Sequence, residues 1–260
     1  MKKEYDFEIE KRNVQVAGSG LIPNLKAIVR KDNNNILATV SDRYQIVTHS
    51  QVVDQFEVAL NSLGGSFKNR NIVTTLPYNG AKMLRKYTFP DIRINIGKDK
   101  ITGKDDEFDL TLELRNSYDG SMRVGYSFGA YRLLCLNGMF IGSKFVEMMS
   151  KHFSSIDVDN MTQNLKNCPE ILEMQLDKWE QWKSTSMTEE EVENDLSKIN
   201  IPKKYIRMMI ERFKKEESTK YGFYNATTNI ITHSIKARKD EANTRWNQLN
   251  FENEISKLFY

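Results

Sequence analysis

Between Asp91 and Tyr126 apolar and polar positions alternate. Ile92, Ile94 and Ile96 are separated by Arg93 and Asn95, and Phe108, Leu110, Leu112 and Leu114 by Asp109, Thr111 and Glu113. A period of two is that of a half-buried strand, so these runs predict antiparallel strands joined by the charged turn Lys98 to Glu107. Tyr118-Asp119-Gly120 is a hairpin signal that returns the chain through Met122, Val124 and Tyr126. The expectation is a meander of about four strands with one solvated face.

The stretch Gly125 to Phe145 anchors this meander. Tyr131, Leu133, Leu134, Cys135, Leu136, Met139, Phe140 and Ile141 leave almost no polar position, the pattern of a strand buried on both faces. Asn137-Gly138 reads as a turn or a bulge, because both residues tolerate positive φ, and a helix start follows. Arg132 interrupts the apolar run. A guanidinium there must reach water, pair with a carboxylate, or be held to face an anion such as phosphate.

Upstream, residues 1 to 35 read as a polar lead-in, with a loop at Gly18-Ser19-Gly20, a strand beginning at Leu25, Ile28 and Val29, and a turn at Asp32 to Asn35. Ile36 to His49 alternates on both sides of Ser41-Asp42 and predicts a hairpin. Ser50 opens a helix whose expected apolar face is Val52, Val53, Phe56, Val58, Ala59 and Leu60, ended by Gly64-Gly65. Ser66 to Asn71 reads as an exposed basic loop around Phe67. Asn79 to Tyr87 reads as a short helix that places Lys82, Arg85 and Lys86 on adjoining parts of one surface.

Beyond Gly142 the spacing is helical. Phe145, Met148, Met149 and Phe153 predict one helix, and Leu172, Leu176, Trp179 and Trp182 another. Thr188-Glu189-Glu190-Glu191 is a capped, acidic first turn. Lys203 to Lys215 and Tyr221 to Lys236 predict two more helices, and Trp246, Leu249, Phe251, Ile255, Leu258 and Phe259 predict a packed C-terminus. The fold class is therefore α+β, an antiparallel β-meander packed against helices and followed by a helical C-terminal half. Residues 1–156 form a mixed core carrying a basic tract, and 157–260 pack on it as one continuous domain.

The chain of 260 residues is long enough to bury a core without staples. Its 39% hydrophobic and 28% charged residues are ordinary for a soluble protein. An apolar run of about 18 residues is absent, as is a basic-then-apolar leader, so the expected location is the cytoplasm, with no membrane partner. Cys135, Cys168, His49, His152 and His233 are scattered, which predicts no metal and no cofactor. Cys135 reads as a small buried hydrophobe.

Net charge is +3, but residues 1–156 carry 22 Lys and Arg against 17 Asp and Glu. From Ser66 to Lys104 nine basic residues (Lys68, Arg70, Lys82, Arg85, Lys86, Arg93, Lys98, Lys100, Lys104) face two acidic ones. Several cations acting together bind a phosphate backbone, and Phe67, Tyr78, Tyr87 and Phe89 among them offer rings for unpaired bases. The competing reading is a lysine-rich solvated surface. No nucleophile with a base, paired carboxylates, hydrolase elbow or phosphate loop is readable, so no catalytic residue is assigned.

Three separated motifs carry a resemblance: Ala38 to Val47 with Asp42, Arg43 and Tyr44; Arg132 to Gly138 with Asn137; and Tyr221 to His233 with Asn225. Together they resemble the phage and plasmid-like proteins of domain of unknown function 932, over roughly residues 36 to 235. The last motif has Asn229 where the family pattern usually has Glu. The resemblance implies a product of a phage, plasmid or other mobile element, in company with recombination and replication functions, and brings no enzyme mechanism. Residue by residue, Asp42-Arg43-Tyr44 fits a turn, and Asn225 fits a hydrogen-bonded helix strip as well as a site.

These readings converge on one expectation, a protein that binds single-stranded DNA in recombination, annealing or replication. Lys68, Arg70, Lys82, Arg85, Lys86, Arg93 and Arg132 would contact phosphates. The meander followed by a helix is similar in topology to single-strand annealing proteins, which implies a homo-oligomer, with phage or host replication and recombination proteins as further partners. The alternative is a mobile-element factor that binds a host or phage protein through the acidic run Glu189 to Glu193.

Overall fold

The computed structural model describes residues 3–18, 20–99, 102–133, 137–140 and 158–259. The polar lead-in holds two paired strands, of which only the one at Leu25 to Val29 was expected. β1 (Ile9–Gln15) and β2 (Leu21–Arg30) run antiparallel, and β3 (Ile36–Ser41) pairs with the other edge of β2. The turn between β2 and β3 is made by Asn34 at φ 58 and by the Asn33 side chain, which accepts from Asn35 N–H at 2.9 Å.

The hairpin expected at Ser41-Asp42 does not form, and residues 42–48 carry no strand. Ala27, Ile28 and Val29 of β2 are buried and already offer β3 a partner one turn away. Tyr44 and Ile46 instead pack on a small core of Phe7, Ile28, Leu37, Val40, Ala81 and Tyr118.

Helix α1 (His49–Leu63) starts one residue earlier than Ser50. Thr48 caps it, accepting from Gln51 N–H while the Gln51 side chain returns to the Thr48 N–H. A single turn, α2 (Pro77–Gly80), follows, with Tyr78 and Asn79 in the left-handed region.

The second sheet has the order β4 (Asn71–Thr75), β5 (Lys82–Lys98), β6 (Asp105–Ser117), β7 (Gly125–Arg132) and β8 (Asn137–Phe140), all antiparallel. The short helix expected at Asn79 to Tyr87 is therefore the start of β5. Met83, Tyr87 and Phe89 alternate into the core, where Phe56 of α1 meets Tyr87 at 5.1 Å between ring centroids. Lys82 and Lys86 consequently share one face of the sheet and Arg85 lies on the other. Asn137-Gly138 is likewise strand rather than turn, pairing with Arg132 and Tyr131. Cys135, His152, Lys100 and the helix expected at Phe145 to Phe153 lie outside the described residues.

Helix α3 (Val158–Lys166) has no counterpart among the expected elements. α4 (Cys168–Ser184), α5 (Glu189–Ser197), α6 (Lys203–Phe213), α7 (Lys220–Ser234) and α8 (Thr244–Phe259) follow the helical spacing read above. Trp179 of α4 packs on Phe108 of β6 at 4.9 Å, and Phe259 of α8 closes on Trp182, Phe223 and Tyr224. Among the described residues no helix is long and apolar enough to cross a membrane.

β6 corrects the expectation of a solvated face. Phe108, Leu110, Leu112 and Leu114 are buried, and so are Asp109, Thr111, Glu113 and Ser117 on the opposite side. Charge pairing makes this tolerable. Arg245 of α8 donates to Glu113 at 2.5 Å and also pairs with Glu252. Burial alone would raise the Glu113 carboxyl, but Arg245 and Arg115 hold it below the ordinary carboxylate range.

Candidate functional site

β6 carries a different polar arrangement at each end. At its start, Asp106 is fully buried and Arg132 is 3% exposed. The guanidinium grips Asp106 at 2.5 and 2.8 Å and also donates to Asp99 at 2.9 Å. The Tyr221 hydroxyl donates to Asp106 at 2.8 Å, and burial pushes its pKa well up. Lys183, whose pKa burial lowers, donates to the Ile96 carbonyl at 2.9 Å and lies 3.9 Å from Asp106. Asn225 is buried one helical turn beyond Tyr221. The second and third sequence motifs thus meet in one ion network that ties β6, β7, α4 and α7 together. Of the readings open for Arg132, the carboxylate-paired one describes its geometry.

The basic tract does not form one exposed surface, which corrects that part of the expectation. Lys82 is 4% exposed and donates to Asp119 at 2.5 Å and to Ser121. Arg85 is buried and bonds Glu57, Tyr87 and Thr74. Arg70 pairs with Glu57 at 2.5 Å and Arg93 with Asp109 at 2.7 Å. Lys86 has a pKa lowered by burial and then by nearby Arg245. Lys68 remains exposed. Phe67, Tyr87 and Phe89 lie in the core, whereas Tyr78 is 46% exposed. The acidic run is also partly engaged, since Glu191 completes the cap of α5 and Glu189 lies 3.5 Å from Lys214.

The first motif lies at the far end of β6. Asp42 and Arg43 are exposed, and Lys11 donates to the backbone carbonyls of Asp42 and Tyr44 at 2.9 and 2.6 Å. The Tyr44 hydroxyl donates to the Ser117 carbonyl at 3.4 Å, and its ring lies beside Gly120. Asn137 is placed by its strand pairing with Arg132, and His233 is exposed near the end of α7. From Asp106 to Ser117 the strand spans on the order of 35 Å, so the three motifs do not converge.

Beside Ser117 an open cleft of about 640 Å³ separates the β6–β7 turn from α8. Its polar walls are Arg115, Ser121, Arg123, Trp246, Asn250 and Asn253, with Met122, Tyr126 and Leu249 as apolar floor. Among the described residues no acidic side chain lines it. Arg115 is anchored by Ser127 and lies 3.5 Å from Glu113, while Arg123 is exposed. At the rim, the Lys82 ammonium sits 4.5 Å from the Trp246 ring centroid and 5.3 Å from that of Tyr78. The sequence reading missed Arg115, Arg123, Trp246, Asn250 and Asn253. One signal was available, two arginines bracketing the Tyr118-Asp119-Gly120 turn; the helical partner is more than a hundred residues away.

Fold and site together define an α+β protein built on an antiparallel meander, with an internal ion network at one end and a cationic, aromatic cleft at the other. The chain belongs to the family described as Domain of unknown function (DUF932), whose profile matches residues 36–250. That range begins at β3 and ends within α8. No curated protein and no solved structure matches the chain.

Proposed function

We propose that the protein binds single-stranded DNA along the cleft between the β6–β7 turn and α8. The observation that carries this reading is the lining: two arginines, an indole and two asparagine amides, with no acidic side chain among the described residues. Guanidinium groups bind phosphate oxygens through paired donors, and rings beside them accept unpaired bases of any sequence. Lys236, Arg238 and Lys239 are exposed in the segment that enters α8, and Ala237 N–H ties that segment to Thr244 Oγ1 at 3.0 Å. They would bring positive charge toward the start of α8, offset in part by the exposed Asp240 and Glu241 that follow. The setting, recombination or replication of a phage or other mobile element with protomers assembling on the strand, rests on the motif resemblance.

The test is fluorescence anisotropy with a labelled poly-dT strand of about 40 nucleotides at low and high salt. Wild-type protein is expected to bind at low salt and to weaken steeply as salt rises. The triple variant Arg123→Glu, Lys236→Glu, Arg238→Glu is expected to lose about ten-fold or more in affinity while melting like wild type. Equal affinity of the two proteins would sink the proposal. A partner captured with little salt dependence, in the absence of DNA binding, would favour a protein interface instead.

A further inference from the structure

Two aromatic rings at the rim of the cleft are held in place at some cost. Tyr78 has φ 55 and ψ 53, a left-handed conformation that a bulky residue keeps only when its surroundings impose it. Its N–H donates to Asn243 Oδ1 at 2.9 Å, its carbonyl accepts from Ala81 N–H at 3.0 Å, and Asn79 and Gly80 after it have φ 58 and 92. The result is a half-exposed phenol ring on the Lys82 ammonium, with the Trp246 ring on the same cation. Lys82 is itself fixed by Asp119 and Ser121. Ser121 and Trp246 both line the cleft, so the two rings form a stiff aromatic edge to it.

The wall formed by α8 adds a second feature. Asn250 and Asn253 are three residues apart and therefore share one side of the helix. Both are exposed, and neither side-chain amide has a partner among the described residues. An amide presents donor and acceptor together, which suits the edge of a nucleobase rather than a phosphate. Attraction for phosphate alone would need neither the strained tyrosine nor the amides.

We infer that the cleft takes one unpaired nucleotide, with its base on Trp246 beside Tyr78, its base edge on Asn250 and Asn253, and its phosphate on Arg123 and Arg115. This rests on reading the cleft as the nucleic-acid site. Its volume lies in the small-molecule range, and a base stacked and paired within a duplex cannot enter such a pocket without being flipped out. The ligand class is a nucleoside monophosphate unit with a free base.

The experiment titrates the full chain with dAMP, deoxyribose 5-phosphate and inorganic phosphate, read by isothermal titration calorimetry, with poly-dT anisotropy in parallel. In proteins that keep Trp246 its fluorescence is a second readout, because Trp179 and Trp182 are buried. dAMP is expected to bind about ten-fold tighter than either base-free anion, and Trp246→Leu to abolish that advantage. Tyr78→Gly relieves the left-handed strain and so keeps the fold; it is expected to weaken dAMP about three-fold or more.

Equal affinity for dAMP and phosphate overturns the inference and leaves an anion site; salt-sensitive poly-dT binding would then still support the broader reading. dAMP binding without poly-dT binding supports the nucleotide pocket and overturns the broader reading. Wild-type dAMP affinity in both Trp246→Leu and Tyr78→Gly overturns the placement of the base.

Discussion

Arg132 and Asp106 neutralise each other inside the protein, with Asp99 and Tyr221 completing the set. Arg132→Met would leave two carboxylates beside a hydroxyl with Lys183, 3.9 Å from Asp106, to offset them, and removing one partner of a buried pair costs about 3–5 kcal/mol. Urea unfolding should show that loss; a change below about 1 kcal/mol would mean that the pair behaves like a surface ion pair. His49 is a second buried polar residue with a definite state. Nε2 lies 2.9 Å from the Gly80 carbonyl and Nδ1 2.9 Å from the Asn116 amide nitrogen, so Nε2 donates, Nδ1 accepts, and the ring is neutral. Burial lowers its pKa from 6.5 to about 4. Above pH 6.5 both folded and unfolded chains hold it neutral. As pH falls from there toward 4 the unfolded chain takes the proton first, and stability drops by about 3 kcal/mol. Because carboxylates also titrate in acid, the measurement is the difference between wild type and His49→Gln in urea midpoints at pH 7 and 4.5, and the variant should show the shallower fall.

At the scale of elements, α7 begins where the chain allows only glycine. A Cβ on Gly222 would sit 2.0 Å from the Glu217 carbonyl oxygen, and Gly222 N–H is already used by the cap at Thr219. Gly222→Ala should therefore displace the α6–α7 connection and cost about 2 kcal/mol, seen as a lowered melting temperature with unchanged helix content. This glycine was visible in the third motif, but its reason was not. The legible elements were those with a stripe: the alternation of Phe108 to Leu114 marked β6, and Leu172 to Trp182 marked α4. β1 carries Glu10, Lys11, Arg12 and Asn13 in succession and shows no stripe, so it read only as part of a polar lead-in. The start of β5 misled because Lys82, Arg85 and Lys86 fit helical spacing as well as strand alternation. Their acceptors, Asp119 and Glu57, come from other segments, so pairing was invisible along the chain. For the same reason the cleft was hidden: Arg123 belongs to a turn and Trp246 to a helix near the C-terminus, and only folding makes them neighbours.

At the scale of the molecule, the basic tract that dominated the sequence is largely neutralised within the structure, and the cleft lies elsewhere. A net charge of +3 is compatible with this, because what a polyanion meets is the local arrangement of unpaired cations. β6 joins the two polar ends through a strand buried on both faces. In α7 ten of fifteen residues are buried, and the helix is packed by α4, α6, α8 and β8. β1, by contrast, lies at the edge of the three-stranded sheet with most of its side chains exposed. Amide protons in α7 should exchange with deuterium only when the whole chain opens, whereas those of β1 should exchange through local fraying. A mass-spectrometric time course should label the peptide Ile9–Gln15 early and Lys220–Ser234 last, and denaturant should accelerate exchange in α7 with the slope of global unfolding. The family's third motif would then mark the segment that holds out longest against solvent.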